Sequence, residues 1–256
     1  MFNFLSEHFK RVIFPLHVLS LLVIPFWEPQ YLFVTLVGWI MISGYGAAIG
    51  LHRYVCHNAF KTNKFFEVIL LWLACLASQG SPIFWNAVHL HHHSEADNER
   101  DFHTPKRGWW QAYWGWIINL DPAQVPMRYS RRLIKDGYHK FLHQHYYRVV
   151  WGTVSVALLI DIVLTGTFMY TLYGLVIPMT YGTHQEPIIN LLSHIKRLGY
   201  RNYDTKDDSN NIWWLGLLTF GQAYHNNHHA MPHKYNYGSK WWEIDLTVPL
   251  ITIIKR

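Results

Sequence analysis

Charge is scarce in this sequence. Asp, Glu, Lys and Arg make up 15% of 256 residues, against roughly a quarter in a soluble domain. Half of the chain is apolar and 17% is aromatic. A chain with so little charge to cover its surface is suited to lipid. Cysteine is scarce too. Cys56 and Cys75 form no CxxC pair, which excludes a disulfide framework and a zinc ribbon and leaves two buried thiols. No HExxH occurs, so a zinc protease is excluded. No ExxH pair occurs either, which argues against a carboxylate-bridged metal bundle. Flavin, haem and iron–sulfur motifs are missing, as are repeats and low-complexity linkers, and one domain over 1–256 is expected. No basic helix is interleaved with exposed aromatics, so nucleic acid is not an expected partner. The net charge of +6 reads instead as Lys and Arg placed between and after apolar runs, toward an anionic membrane face.

Those runs come in pairs. Residues 12–27 and 31–50 flank Glu28-Pro29-Gln30, and each approaches the roughly 20 residues that cross a bilayer. They are expected to form a hairpin. Lys10 and Arg11 precede it, and Arg53, Lys61 and Lys64 follow it, which puts both its ends on the cytoplasmic side. Met1 to Arg11 is short and mixed in charge, and no small-residue cleavage site follows the first run, so that run reads as a retained anchor. A second pair covers 149–164 and 168–181, the last helix being carried to 186, with a joint at Thr165-Gly166-Thr167. Asp161 inside this pair is expected near the far interface. Trp109, Trp110, Tyr113, Trp114 and Trp116 read first as an interfacial belt, and second as a wall of a substrate passage.

Histidine is the residue in excess, with eighteen copies. Most lie in three boxes at the polar ends of apolar segments: His52-Arg-Tyr-Val-Cys-His57, His89-Leu-His-His92-His93 and His225-Asn-Asn-His228-His229. In an HxxHH box the histidines stand at i, i+3 and i+4 and share a helical face, so their imidazoles can converge on metal. Imidazole suits iron, zinc and copper. The five-residue step of the first box is not one α-helical face, so His52 and His57 are expected to straddle the site or to lie where a helix frays. His91 points elsewhere. His17 reads as a packed group within a span, and His8, His139, His143, His145 and His233 as surface residues. His103 and His184 remain open.

All three boxes must meet on one side of the membrane. If residues 65–83, the third apolar stretch, crossed the bilayer, the first two boxes would be separated. That segment is therefore expected in the interface. The expected fold is all-α and integral to the membrane. Four spans in two hairpins carry a cytoplasmic helical cap that holds the boxes.

At these residues the chain resembles the membrane acyl desaturases, the stearoyl-CoA and bacterial delta-9 type, from about Gly44 to Leu246. Gln79-Gly-Ser-Pro-Ile-Phe-Trp85 resembles the segment leading into the second box, Asp101 and His103 the Asp-Pro-His, Lys106-Arg107-Gly108 the basic pair, and Asn190-Leu-Leu-Ser-His194 the Asn-x-x-x-His. Residues 199–205, 208–211, Trp213-Trp214 and Phe220-Gly221 are similar to the bacterial branch. The resemblance implies two iron ions (Fe2+/Fe3+) on His52, His57, His89, His92, His93, His194, His225, His228 and His229, with Asn190 joined through a water. It implies no catalytic residue beyond these ligands, and Trp85, Lys106 and Arg107 against the substrate. Leu90, Ala87-Val88, Phe102, Glu186-Pro187 and Gln222 depart from the pattern without removing a histidine; Ala87-Val88 stands where acyl-CoA enzymes of animals have Arg-Asp.

The implied reaction is oxygen-dependent insertion of a cis double bond, at delta-9, into a long saturated acyl chain borne on CoA or a lipid. An unactivated methylene has no acidic proton, so the oxidising power must come from a cofactor. Dioxygen takes four electrons. The acyl chain supplies two, and a partner protein, a ferredoxin or a b-type cytochrome, supplies two. The rival readings are a lipid hydroxylase of the same membrane class and a non-catalytic metal-binding membrane protein.

Overall fold

In the computed structural model, which describes residues 7–119 and 121–256 (the Pro122 side chain excepted), two long helices open the chain. Helices α1 (Phe9–Phe26) and α2 (Pro29–Cys56) are joined at Trp27-Glu28, close to the expected turn. Residues 1–6, which precede the expected anchor, lie outside the described residues. Helix α3 (Lys64–Leu76) starts at Asn63, whose side chain accepts the Phe66 N–H at 3.0 Å. Such an N-cap contributes about 1 kcal/mol. The stretch 65–83 is thus broken at residues 77–81, and α3 alone, about 20 Å long at 1.5 Å per residue, is too short to cross. Ser81 and Pro82 then start α4 (Pro82–Glu95), which carries the second box.

Helix α5 (residues 109–119) is followed by the short α6 (Arg131–Lys135) and α7 (Gly137–Gln144), the latter capped by Asp136. Helix α8 (Tyr146–Thr165) ends at Gly166, whose left-handed φ of 74° closes the C-terminus. Residues 169–192 form one continuous helix, α9. The cap is completed by α10 (Trp213–Leu218), α11 (His225–Ala230) and α12 (Thr247–Ile254). Among the described residues there is no strand, only isolated bridges such as Tyr200 with Asn211.

Three helices, α1, α2 and α8, are long and apolar enough to cross a membrane. Val163 and Leu164 on α8 are 73% and 77% exposed, a face that water would not favour and lipid would. The fourth expected span falls within α9, whose second half carries Thr183, His184, Gln185 and Glu186 and is more polar. The helices approach closely where glycines allow it. A Cβ on Gly38 would strike the Gly174 carbonyl, and one on Gly46 the Leu73 carbonyl, so α2 lies tight against α9 and α3. The core between them includes Leu16, Ile42, Leu51, Leu71, Val150 and Met179.

Three histidines expected at the surface are buried or half-buried. His8 is buried, its Nε2 3.1 Å from the Ser78 carbonyl. His139 is buried, its Nδ1 2.9 Å from Asp136. His143 is half-buried on Ser81 Oγ at 2.6 Å. Each is placed by a contact distant in sequence or by a cap. His17 is half-buried, 2.8 Å from His184, which also meets the Tyr113 hydroxyl. Asp161 is buried and accepts the Thr171 N–H at 2.7 Å, so it faces the bundle interior at the joint between α8 and α9.

Candidate metal centre

The first box lies at the end of α2. Residues Ile40–Cys56 of that helix are π-helical, and the His57 N–H donates to the His52 carbonyl at 3.2 Å. An i→i+5 bond sets residue i+5 above residue i. The two rings therefore share a face, 5.0 Å apart, rather than straddling the site, and His57 stands at the helix end as its C-cap. Helix α4 brings His89, His92 and His93; α11 brings His225, His228 and His229; the turn after α9 brings His194.

These nine side chains form two groups. One nitrogen from each of His52, His57, His89, His93 and His228 lies within 4.8 Å of the others, and the same holds for His92, His194, His225 and His229. Each HxxHH box is shared. In the second box i and i+4 enter the five-membered group and i+3 the other. In the third box the allocation is reversed. The nearest Nε2–Nε2 distances are 2.9 Å for His52–His228, His57–His89 and His93–His228, and 3.0 Å for His89–His93, His194–His225 and His225–His229.

Four of the opposite ring nitrogens are held from outside. His194 Nδ1 lies 2.8 Å from Asp97, His229 Nδ1 2.9 Å from Asp207, His92 Nδ1 3.1 Å from Asp101, and His52 Nδ1 2.6 Å from Gln222 Oε1. A carboxylate only accepts, so these Nδ1 atoms carry the proton and the Nε2 lone pairs point inward. His225 can donate an Nε2 proton to His194 or to His229, not to both. At least one of these two close contacts is left without a hydrogen bond, which fits a cation among the nitrogens and a donor set of neutral imidazoles. Asp97, Asp207 and Gln222 in this role were not legible in the sequence, because no periodicity links them to the boxes; Asp101 was noted only by resemblance.

The electrostatics agree. Burial holds His57 down at about 3 and His229 at about 4, and keeps His89, His93, His225 and His228 well below 6.5. Burial also works against charge on His92, but Asp101 more than offsets it and proton affinity is raised; a cation would take that proton's place. Burial opposes ionisation of Asp97, yet its bond from His194 outweighs this and holds it at about 2. Asp101 and Asp207 are likewise lowered against burial by His92 and His229. A pH dependence follows. The lowered histidines bind fewer protons in the folded chain than in the unfolded one below pH 6.5, so their contribution is complete above 6.5 and lost as pH falls toward 4. The metal-free protein is expected to melt at progressively lower temperature from pH 7.5 to 5, read by scanning calorimetry; a flat profile would refute the neutral assignment.

A crevice adjoins the groups. It consists of two small pockets that share Phe84, Trp85, Trp116 and Glu186 as walls; one reaches His89, His103 and Asn190, the other Ser78, Gln79 and Thr183. Trp85 stacks on His89 with centroids 4.5 Å apart and donates from Nε1 to Gln79 at 2.8 Å. The aromatic cluster is divided: Trp109 and Trp110 are exposed, while Trp116 forms crevice wall. His103 is buried against His92 and Asp101, and His91 turns away to the Arg100 carbonyl. Lys106 bonds the Asp97 carbonyl and pairs with Asp208, both at 3.1 Å. Arg107 is exposed, and neither basic residue lines the crevice.

The family model for fatty acid desaturase matches residues 27–251. This chain belongs to the fatty acid desaturase family. The desaturase is 33% identical over 222 residues to the sn-1 stearoyl-lipid 9-desaturase of Anabaena variabilis, covering 86% of this chain and 78% of the relative. It is 34% identical over 237 residues to Delta-9 acyl-lipid desaturase 2 of Arabidopsis thaliana (91% and 75%). It is 30% identical over 243 residues to the Acyl-CoA C20 Delta5-desaturase of Anemone leveillei (94% and 76%). The desaturase is thus an oxidoreductase of lipid metabolism with apolar membrane helices and two histidine groups able to hold metal.

Proposed function

We propose that the desaturase inserts a cis double bond at the delta-9 position of a long saturated acyl chain carried by a lipid, with one iron ion in each histidine group. The two groups of converging, outwardly anchored imidazoles carry this reading. The names of the first two relatives support delta-9 and a lipid carrier, and so do Ala87-Val88. Bound iron supplies the oxidising power that an unactivated methylene requires. His52, His57, His89, His93 and His228 would hold one ion; His92, His194, His225 and His229 would hold the other, with Asn190 joined through a water. Asp97, Asp101, Asp207 and Gln222 fix the imidazole tautomers. Trp85, Phe84 and Trp116 clasp the acyl chain in the crevice and exclude water. Two electrons come from the chain and two from a ferredoxin or b-type cytochrome.

In this reading α9 is the fourth span, α3 lies in the interface, and the boxes face the cytoplasm, as Lys10, Arg11, Lys61 and Lys64 favour. The test is expression in a host of defined fatty-acid profile, together with each candidate electron donor, and mass spectrometry of the total lipid acids. A new delta-9 mono-unsaturated acid is expected. A hydroxylated acid would transfer the protein to the sister oxygenases, and a bond at another carbon would overturn the position.

A further inference from the structure

Helix α10 has no polar side chain: its sequence is Trp-Trp-Leu-Gly-Leu-Leu. One side of it is core. Leu215 is buried with Ile189, Ile212 and Ala223, and Gly216 lies against the Tyr224 ring. The other side faces outward, with Trp213 58% exposed and Trp214 and Leu218 exposed beside it. A helix that is apolar all round belongs where its whole surroundings are apolar. The outward face continues onto residues 241–244. Trp241 is 90% exposed, and Trp242 and Ile244 are exposed as well. Tyr224, which stands behind α10, donates its hydroxyl to the Ile244 carbonyl at 3.2 Å and so ties the two segments together. A bare apolar patch of this kind marks a contact with lipid or with protein.

Packing sets the depth of the patch. The turn after α10 brings Phe220 onto Trp39, with ring centroids 4.5 Å apart, and against Gly44, where a Cβ would come within 2.9 Å of the Phe220 ring. Tyr181 of α9 donates to the Leu218 carbonyl at 2.7 Å. Trp39 and Gly44 lie in the middle of α2, one of the membrane-length helices. At 1.5 Å per residue Trp39 is about 15 Å along α2 from Pro29, half of the roughly 30 Å apolar thickness of a bilayer. Helix α10 therefore ends beside the middle of a span, not above it. The C-terminal helix α12 repeats the arrangement: its exposed Ile253 shares an apolar groove with Met41 and Tyr45 of α2.

We propose that α10 and residues 241–244 are immersed in the bilayer leaflet on the side of the histidine boxes, as an in-plane attachment of the cap. Leucine and isoleucine suit the acyl layer, and tryptophan suits its boundary with the headgroups, the ring in the apolar part and the N–H toward water. Continuity with α2 and α9 selects lipid over a second copy of the chain. Residues 219–224 run from α10 into the third box and include Gln222, which holds His52, so the attachment fixes the height of that box above the bilayer. This placement is independent of the acyl substrate and of the position of the new bond.

The experiment puts a nitroxide on single introduced thiols of the full chain in phosphatidylcholine nanodiscs. Cys56 and Cys75 are buried and do not label. The variants are W214C, L218C and I244C. V156C, at an outward position in the middle of α8, is the lipid reference, and R197C, at an exposed position after α9, is the water reference. Power-saturation electron paramagnetic resonance compares collisions with dioxygen, which concentrates in lipid, and with a water-soluble nickel chelate. Dioxygen is expected to dominate at 214, 218 and 244, as at 156, and the chelate at 197. Thermal unfolding by circular dichroism identifies any variant that does not fold, and L217C or W242C then takes its place. Collisions dominated by the chelate at any patch position would overturn the proposal. So would dipolar broadening at 218 that disappears on dilution with unlabelled chain, the mark of a second copy seated on the patch.

Discussion

His92→Ala is expected to abolish product and to lower bound iron, while His91→Ala, one position away in the same box, leaves both nearly intact. His92 belongs to the four-membered group, which has no spare imidazole. Its loss removes a ligand that His103 does not replace, for His103 has its own place against Asp101 and Trp116. It also strips Asp101, fully buried, of its imidazole partner. Asp101 keeps the N–H groups of Asp97 and His103, but the loss of one hydrogen bond to a buried carboxylate costs about 1.5–3 kcal/mol, so part of the effect is local loosening. His91 bonds only the Arg100 carbonyl, and its truncation should cost about 1 kcal/mol, a typical value for a point substitution. Asp101→Asn falls between. The imidazole remains but its tautomer is no longer fixed, and metal affinity should drop about 10- to 100-fold. Iron content by elemental analysis, beside lipid acid profiles, ranks the three. A His91→Ala enzyme as dead as His92→Ala would mean that the face assignment within the box is wrong.

That assignment shows how far the sequence could be read. The i, i+3, i+4 spacing marks which histidines converge, because helical periodicity is local. It does not say that i+3 serves a different group from i and i+4; that depends on where the facing helix lies. The HxxxxH step made no sense on an α-helix, and no residue in 40–56 announces the π geometry that resolves it. His194 was reached only by resemblance, since a lone histidine after a helix has no pattern of its own. Asp97 and Asp207 are ordinary polar loop residues until the chain returns to set them behind His194 and His229. The same limit applies to His8 and His143, whose partners Ser78 and Ser81 lie far away in sequence. Apolar runs located α1, α2 and α8 within a few residues. The run at 65–83 was also read in outline, but its break at 77–81 depends on Ser81 and Pro82 starting a new helix.

Arg53 is the clearest case of a residue whose meaning is reversed by the fold. In the sequence it is one of the cations that follow the first hairpin. In the structure its side chain has no exposure, and its Nη2 lies 2.9 Å from Asp245, equally unexposed. The other donors reach the carbonyls of Tyr235 at 2.8 Å, Ala48 at 2.8 Å and Phe220 at 3.3 Å, and the guanidinium lies 3.8 Å over the Tyr237 ring. Asp245 in turn accepts N–H groups from Tyr237 and Thr247. Arg53 thus pins the C-terminal segment over the first box. Removing one partner of a buried pair leaves an uncompensated charge and costs about 3–5 kcal/mol. Arg53→Met is therefore expected to lower the unfolding midpoint sharply and to reduce iron content, since His52 and His57 flank the lost anchor. Arg53→Lys should recover only part, because an ammonium can reach Asp245 but cannot serve three carbonyls and a carboxylate at once. Arg53→Met with Asp245→Asn should be more stable than the two single losses added together, since the stranded charge is gone. Denaturant unfolding in micelles measures all four. Strict additivity in that cycle would show that the pair does not hold the cap down, and would leave the packing of Arg53 on Tyr237 as the larger part of its contribution.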